Sequence, residues 1–205
     1  ALKRLTDAQE DGDRVLAVIH GTAVNHDGHA RTVTTPSGPA QRAMLQSALA
    51  NAGLAPHQLD YIETHGTGTP LGDPIEVMAI ARVLCEDRSE PLYIGSVKTN
   101  VGHLDAAAGV AGLIKVVMSL QHQVIPASLN FSVPNPRIPW SEWPLRVPTE
   151  QVPWVSDNRF AGISAFGMSG TNVHLIVGQA PAPVARTEPT AAAANYPHHV
   201  LTLSA

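Results

Sequence analysis

Short apolar runs rich in β-branched residues alternate along the chain with longer segments in which apolar residues recur every three or four positions. The first pattern predicts strands over residues 14–23, 59–64, 92–97, 160–165 and 173–177. The second predicts helices over residues 39–52, 73–84 and 105–121. Because strands that alternate with helices usually form parallel sheets, this order predicts an α/β fold with a largely parallel sheet covered on both faces.

Capping residues support the predicted helix ends. Ser37 is a suitable N-cap for the first of these helices, and Gly53 suits the left-handed residue that ends it. Asp73 and Pro74 open the second helix, where the missing N–H of proline costs nothing. The helix over residues 105–121 is apolar on nearly every side, so we expect it to be buried on most of its faces.

Two segments show neither periodicity. Residues 126–153 are dense in proline and are predicted to be irregular, with short extended pieces. After residue 178 the chain becomes rich in Pro and Ala, which is typical of a linker, and it turns apolar and alternating again at its end. We therefore predict one domain over residues 1–178 and a linker over residues 179–205 that leads to a following domain.

Charge and cysteine content narrow the class of protein. Thirteen Lys and Arg stand against seventeen Asp and Glu, with no basic run, so a nucleic-acid partner is not expected. No apolar run approaches the roughly 18 residues of a membrane helix, and no signal peptide opens the chain. A single cysteine cannot form an internal disulfide. We expect a cytoplasmic protein without a membrane partner, cut from within a longer polypeptide because it starts without Met in an already periodic pattern.

The first candidate for chemistry is the sequence ETHGTGTP, directly after a predicted strand. Ligands of α/β sheets bind at the carboxyl ends of strands. Gly66 and Gly68 would let the backbone approach a ligand, and Thr67 and Thr69 offer two hydroxyls. From these residues alone, a Gly-rich turn in which His65 and the threonines satisfy local backbone groups remains open. The segment lacks the Gly-Lys-Ser/Thr of a phosphate-binding P-loop.

The second candidate, KTNVGH, also follows a predicted strand and precedes the buried helix. A histidine at a helix N-terminus is biased toward its neutral form, in which one ring nitrogen donates and the other accepts. Lys98 would act on His103 in the same direction. The simpler alternative is a capping histidine beside a surface lysine. A third segment, FGMSGTN, is a glycine-rich bend that by itself is typical of an ordinary hairpin turn.

Two further groups are weaker candidates. His20, His26 and His29 near Asp27 suggest a metal-dependent hydrolase, but their spacing matches no common zinc pattern. We expect solvated loop histidines and no metal site. Cys85 is interpreted as structural, because the carboxylates of the two residues that follow it would raise its pKa.

The order and spacing of the three loops are more specific than any one of them. The set ETHGTGTPLGDPIE, GSVKTNVGHLDAAAGVAGLIK and GISAFGMSGTNVH resembles the carboxyl-terminal half of β-ketoacyl synthases of the thiolase-like superfamily. It is most similar to the ketosynthase domains of modular type I polyketide synthases. The resemblance implies a thiolase-like layered α-β-α-β-α fold, of which this chain is the carboxyl-terminal half with a Pro/Ala-rich tail.

The resemblance also implies roles for single residues. His65 and His103 match the two catalytic histidines, and Lys98 matches the lysine that tunes the second. Phe166 matches the gating residue of the family, whose backbone N–H joins the oxyanion hole. The next residue, Gly167, lies in the Gly-rich loop that the resemblance implies to be mobile. Thr67 and Thr69 match the residues whose hydroxyls bind the phosphopantetheine arm of an acyl carrier protein.

The family's nucleophile is a Cys that precedes this chain, so the resemblance implies an incomplete enzyme. Gly112 stands where bacterial fatty-acid enzymes carry an acidic residue, and we assign no acid there. The implied reaction is a decarboxylative Claisen condensation without a directly bound cofactor. Implied partners are the carrier protein, the upstream ketosynthase half, an adjacent acyltransferase domain and a second copy in a homodimer. The alternative is a non-catalytic module that only binds the carrier arm.

Overall fold

The computed structural model describes residues 1–28 and 35–182. Within them, α-helices span Leu5–Glu10 (α1), Gly38–Ala52 (α2), Gly72–Leu84 (α3), Lys98–Val101 (α4) and Ala108–His122 (α5). Strands span Ala17–His26 (β1), Tyr61–Glu63 (β2), Leu92–Gly95 (β3), Val124–Ile125 (β4), Leu145–Arg146 (β5), Val152–Pro153 (β6), Phe160–Phe166 (β7) and Thr171–Gln179 (β8). Short 3₁₀ turns cover Pro56–Gln58 and Asp105–Ala107.

Six strands form the central sheet in the order β1-β8-β7-β2-β3-β5. Strands β7, β2, β3 and β5 pair in parallel, whereas β8 pairs antiparallel with both β7 and β1. Three of these five pairings are parallel, so the expectation of a largely parallel sheet is wrong only for the two pairings of β8. For β7 and β8 the reason is local, because their connection is too short for the crossover that a parallel pair needs.

Helices α2 and α3 cover one face of this sheet, which we call the closed face. Side chains alternate along each strand, so Ile62, Ile94 and Ile176 point to this face and join Met44 and Ile80 in one buried cluster. Ser37 caps α2 by accepting a hydrogen bond from the backbone of the third helical residue, and Gly53 ends it with φ +66°. Both predicted caps are confirmed.

Helix α5 packs on the opposite face, which we call the open face. Its side toward the sheet is buried through Ala108, Gly112, Val116 and Leu120, which recur every four residues. Its outer side exposes an apolar row of Val110 at 57%, Ile114 at 58% and Met118 at 48%. The prediction that this helix is buried on most faces is wrong for the described part of the chain, because the sheet covers only one of its sides.

The proline-rich segment is irregular, as predicted. It contributes only two-residue strands, of which β5 extends the main sheet and β6 pairs with β4. Most of the predicted linker, residues 183–205, lies outside the described residues. Across residues 1–28 and 35–182, no helix is long and apolar enough to cross a membrane.

Candidate functional site

The three candidate loops meet at one edge of the sheet. Strands β2, β3 and β7 are parallel neighbours, so their carboxyl ends lie side by side, where α/β sheets bind ligands. His65 follows β2 by two residues, Lys98 follows β3 by three, and Phe166 is the last residue of β7. The ring centroids of His65 and His103 are 5.5 Å apart, and those of His65 and Phe166 are 5.2 Å apart.

A buried carboxylate on α3 holds the first loop. Glu76 accepts hydrogen bonds from the backbone N–H groups of His65, at 2.7 Å, and of Gly66, at 3.0 Å. Burial raises the pKa of Glu76 to about 7, while these two N–H donors act in the opposite direction. Gly66 has φ +49°, and a Cβ there would lie 2.6 Å from the Thr64 hydroxyl oxygen. The path of the loop past His65 therefore depends on a glycine and on one carboxylate.

The two histidines make the same kind of hydrogen bond. Nδ1 of His65 accepts from the backbone N–H of Phe166 at 3.3 Å, and Nδ1 of His103 accepts from the backbone N–H of Asp105 at 3.0 Å. A neutral imidazole that accepts at Nδ1 carries its proton on Nε2. Both rings therefore present an Nε2–H donor at the same edge of the sheet.

Burial and nearby positive charge lower the pKa of His65 to about 4. Burial contributes most, followed by the charges of Lys98 and His103. His65 is consequently neutral at physiological pH. The pKa of Lys98 is also lowered by burial, and the carboxylates of Glu63, Glu76 and Asp73 oppose that effect.

His103 does not lie directly at the N-terminus of the long helix as expected. The 3₁₀ turn Asp105–Ala107 separates it from α5, and His103 is exposed at the surface of the described chain. The more buried histidine of the pair is His65, which is half-buried and whose neutral form comes from burial and from nearby positive charge, Lys98 first, rather than from a helix dipole.

The two threonines have different surroundings. The hydroxyl of Thr69 accepts a hydrogen bond from the backbone N–H of Gly72 at 3.1 Å, at the start of α3. Thr67 is half-buried, and its hydroxyl has no protein partner within the described ranges. Gly68 has φ +74° and open space around it. Thr69 therefore has a structural contact in addition to any ligand contact, and Thr67 has none among residues 1–28 and 35–182.

The bend after β7 is held by the end of β1. Asn172 donates to the carboxylate of Asp27 at 2.7 Å and to the side chain of Asn25 at 3.2 Å. His26 Nε2 lies 2.8 Å from the backbone oxygen of Ser169. Gly167 lies in this bend and is exposed. The bend is thus fixed at its base, while its tip is at the surface.

The metal interpretation finds no support in the ranges that the structure describes. They contain no group of three or more side chains arranged to hold an ion. His20 packs edge-on against Phe160, and His29 lies outside the described residues. Cys85 is buried, and burial rather than the neighbouring carboxylates raises its pKa to about 11.

Two buried acids of the site, Glu63 and Glu76, were not identified from sequence as functional residues. Each stands within an apolar pattern, Glu63 at the end of a buried strand and Glu76 on the inner side of α3. A carboxylate at such a position is a detectable signal, since buried charges are rare unless they are paired. The hydrogen-bond partners of such a carboxylate lie far from it in sequence, so the apolar pattern around it does not identify them.

Comparison with protein families gives two matches. A family described as "Beta-ketoacyl synthase, C-terminal domain" matches residues 16–132, and one described as "Ketoacyl-synthetase C-terminal extension" matches residues 134–205.

Similar proteins are polyketide synthases. The chain is 49% identical over 195 residues to polyketide synthase GfsA of Streptomyces halstedii, covering 93% of this chain and 3% of that protein. It is 53% identical over 179 residues to a highly reducing polyketide synthase of Aspergillus terreus, covering 86% of this chain and 7% of that protein. The chain therefore spans less than a tenth of the length of these two relatives.

Two solved ketosynthases share the fold. The oxazolomycin ketosynthase domain from Streptomyces albus JA3453 matches with a TM-score of 0.84 and 40% identity, over 89% of this chain and 34% of that one. The ketosynthase from module 6 of the bacillaene synthase of Bacillus subtilis 168 matches with the same TM-score and identity, over 87% of this chain and 33% of that one. The expected thiolase-like α/β fold is confirmed.

Proposed function

We propose, from the premise that this chain belongs to the β-ketoacyl synthase family as its C-terminal domain, that it supplies the histidine half of a ketosynthase active site in a polyketide synthase. The complete domain would catalyse a decarboxylative Claisen condensation. The observation that carries this proposal is the pair of neighbouring imidazoles, each accepting a backbone hydrogen bond at Nδ1 and so keeping an Nε2–H donor for a ligand.

The reaction starts on a cysteine upstream of this chain. Its thiolate attacks an acyl thioester on a carrier protein, and the carrier thiol leaves, so that the acyl chain becomes bound to the cysteine. A malonyl-type carrier thioester then loses CO₂, and the electron pair of the broken C–C bond passes into an enolate. The enolate carbon attacks the acyl-cysteine carbonyl, the cysteine thiolate leaves and is reprotonated, and a β-ketoacyl thioester remains on the carrier.

The two histidines act at the decarboxylation step. Negative charge develops on the thioester oxygen as CO₂ leaves, and the Nε2–H groups of His65 and His103 donate to that oxygen. A pKa of about 4 keeps His65 neutral, so its bond to the oxygen does not require transfer of a full proton. The Lys98 ammonium adds positive charge beside this pair. Preorganised donors of this kind are worth roughly 3–4 kcal/mol each.

Phe166 and Gly167 are proposed to serve the second carbonyl. The backbone N–H of Phe166 would join the N–H of the cysteine in an oxyanion hole. In this structure that N–H donates to His65 at 3.3 Å, which is a long hydrogen bond. Exchange of this weak bond for the oxyanion requires a small movement of the bend that begins at Gly167.

Thr67 and Thr69 are proposed to bind the phosphopantetheine arm of the acyl carrier protein. The Thr67 hydroxyl has no protein partner among the described residues, and Thr69 accepts one bond and still has its O–H to donate. No cofactor is bound directly, since the substrates arrive on the arm of the carrier.

The upstream ketosynthase half is proposed to cover the open face. Val110, Ile114 and Met118 lie one turn apart on the outer side of α5, and a row of this kind is typical of a helix that packs against a partner. Covering α5 would also enclose His103, which precedes that helix along the chain. An acyltransferase domain after residues 179–205 and a homodimer through the ketosynthase complete the proposed assembly.

Removal of each imidazole tests the proposal. In the complete domain, His65→Ala and His103→Ala should each lower malonyl decarboxylation and condensation by about 10²–10³-fold while the cysteine still accepts an acyl group. His57→Ala is the control, because His57 is exposed in the 3₁₀ turn before β2, at the opposite edge of the sheet. Condensation near the wild-type rate in His65→Ala would refute the assignment. A wild-type domain that binds the carrier arm without condensing would identify a non-catalytic module.

A further inference from the structure

Glu63 is a buried acid beside the site that the proposed reaction does not use. It is the last residue of β2, two residues before His65, and it is 2% exposed. Its side chain points to the open face of the sheet, the side on which α5 packs. A carboxylate this deeply buried needs compensating donors, and their positions show which parts of the molecule it connects.

The two carboxylate oxygens of Glu63 hold different elements. Oε1 accepts from the backbone N–H of Val97 at 2.5 Å, at the residue immediately before α4 and Lys98. Oε2 accepts from the Tyr61 hydroxyl and from the Lys115 ammonium, both at 2.7 Å. Lys115 lies on α5 and is 12% exposed at its side chain. One carboxylate thus ties the end of β2 to the start of the Lys98 loop and to α5.

Gly112 leaves the space that this arrangement occupies. A Cβ at Gly112 would lie 3.1 Å from Cγ of Glu63 and 3.6 Å from its Oε1. Contacts at 3.1 Å are tighter than side chains normally make, so any residue larger than glycine would push the carboxylate by a few tenths of an ångström. Gly109, one turn earlier, differs, because a Cβ there would make an ordinary contact of 3.4 Å with Ala165.

We infer that Glu63 is a positioning residue for the ketosynthase reaction, holding the Lys98 loop in register with His65 through Val97 and placing its negative charge beside Lys98, with Gly112 kept small to leave it room. This inference rests on the function proposed above. The charges that face Lys98 agree with it, since Glu63 on β2 is the first of the carboxylates that raise the pKa of Lys98, followed by Glu76 and Asp73 on α3. Lys115 on α5 acts in the opposite direction.

The first experiment removes the charge and keeps the shape. In the complete ketosynthase, Glu63→Gln should lower the kcat of condensation by about tenfold or more, because misplacement of catalytic groups by about 1 Å can cost about 10²-fold. The KM for the malonyl thioester should change little. Loss of the carboxylate lowers the pKa of Lys98, so the alkaline limb of the pH–rate profile should move to lower pH. An unmoved profile with an unchanged kcat would overturn the inference.

The second experiment moves the carboxylate without changing its charge. Gly112→Ala should lower kcat several-fold, and Gly109→Ala is its matched control on the same helix. Both replace a glycine of α5 by alanine, which favours the helix in either case, so a general effect on α5 would appear in the two variants. If Gly112→Ala and Gly109→Ala have the same kcat, a positioning role for Glu63 is wrong, even if Glu63→Gln fails to fold.

A readout without turnover separates this inference from the proposed function. Lys98 can be followed in the complete, substrate-free domain by ¹³C NMR after reductive methylation of lysines, with the Lys98→Met variant for assignment. Glu63→Gln should shift its titration to lower pH and leave the His57 ring resonances unchanged. If the domain shows no condensation but this shift occurs, the proposed function fails and the coupling of Glu63 to Lys98 stands. If Glu63→Gln does not shift the titration of Lys98, the coupling of Glu63 to Lys98 is wrong, whether or not the domain catalyses condensation.

Discussion

The two faces of the central sheet differ in how completely this chain covers them. On the closed face, the apolar side chains of α2 and α3 that face the sheet are almost fully buried, with Met44 at 1% exposure and Ala48 at 0%. On the open face, α5 is at least as apolar in sequence, yet it leaves about half of each of Val110, Ile114 and Met118 exposed. Similar residues thus have opposite surroundings, because Met44 and Ala48 face the sheet, whereas the row on α5 faces away from it and is not covered within the described chain.

The candidate site lies where this difference matters most. His65 is held from the closed side, since Glu76 on α3 accepts hydrogen bonds from the backbone N–H groups of His65 and Gly66. His103 leads into α5 on the open side and is exposed, with its ring held by one backbone contact to Asp105. Half of the site is therefore held by contacts within this chain, and we expect the other half to depend on what covers α5.

The largest expected effect comes from leaving the open face uncovered. Residues 1–205 produced alone should aggregate or bind a hydrophobic dye strongly, because the apolar row on α5 meets water. Ile114→Lys should reduce dye binding in that isolated chain, whereas Leu45→Lys, on the buried side of α2, should unfold it. A soluble monomer of residues 1–205 with a cooperative thermal melt and little dye binding would contradict the comparison.

Two methionines on opposite faces measure the difference directly. Met44→Ala should lower the free energy of unfolding of the complete domain by about 2–5 kcal/mol, the usual cost of a cavity in a core. Met118→Ala should cost a comparable amount only if a partner covers α5, and otherwise well under about 1 kcal/mol. Urea denaturation of the complete domain gives both values. A near-zero cost for Met118→Ala there would show that α5 stays exposed.

The closed face also carries a histidine whose titration reports how dry that face is. His174 lies on β8, 3.0 Å from the Ser164 hydroxyl, and burial lowers its pKa to about 3 from an ordinary value near 6.5. Between these values the unfolded chain binds a proton that the folded chain does not, so stability falls as pH drops below 6.5. At pH 5 the loss of unfolding free energy caused by His174 amounts to roughly 2 kcal/mol.

Comparison with His174→Gln isolates that contribution. Glu76, whose pKa is raised to about 7, acts in the opposite direction, because the folded state then binds the extra proton and stability grows as pH falls from 7 toward 4.5. Glu76 contributes equally to both proteins, so the change from pH 7 to pH 5 should lower the unfolding free energy of the wild-type domain relative to that of His174→Gln. Equal differences would mean that water reaches His174 and that this face is less closed than its packing indicates.

The smallest effect concerns the two loop threonines. Thr69→Val removes the acceptor for the Gly72 N–H at the start of α3 and should cost about 0.5–1.5 kcal/mol of stability. Thr67→Val has no such contact among the described residues and should leave the melting temperature unchanged. Both should weaken the use of pantetheine-linked substrates several-fold, while alkylation of the active-site cysteine by a small reagent stays unchanged. If alkylation falls together with substrate use, the threonines hold the loop rather than the ligand.

Local signals in the sequence were sufficient for most of the fold. Ser37 and Gly53 mark the ends of α2 because capping depends on residues within one turn, and the strands on either side of the FGMSGTN bend follow from short apolar runs around glycines. The candidate loops could be placed at strand ends for the same reason. The antiparallel pairing of β8 with β1 was missed, because Val24 and Val173 are neighbours in the sheet but far apart along the chain.

The sequence by itself thus determined which segments form helices and strands, and it brought His65, Lys98, His103 and Phe166 forward as one set through their order in three loops. Only the tertiary structure decided which acids serve them. Glu76 lies eleven residues from His65 and Glu63 lies 34 residues from Val97, and these pairs form because the strand order places β2 beside β3 and between α3 and α5. Periodicity records which side of an element is apolar, but what covers that side depends on strand order and on neighbouring layers, and α5 has none on its outer side within the described chain.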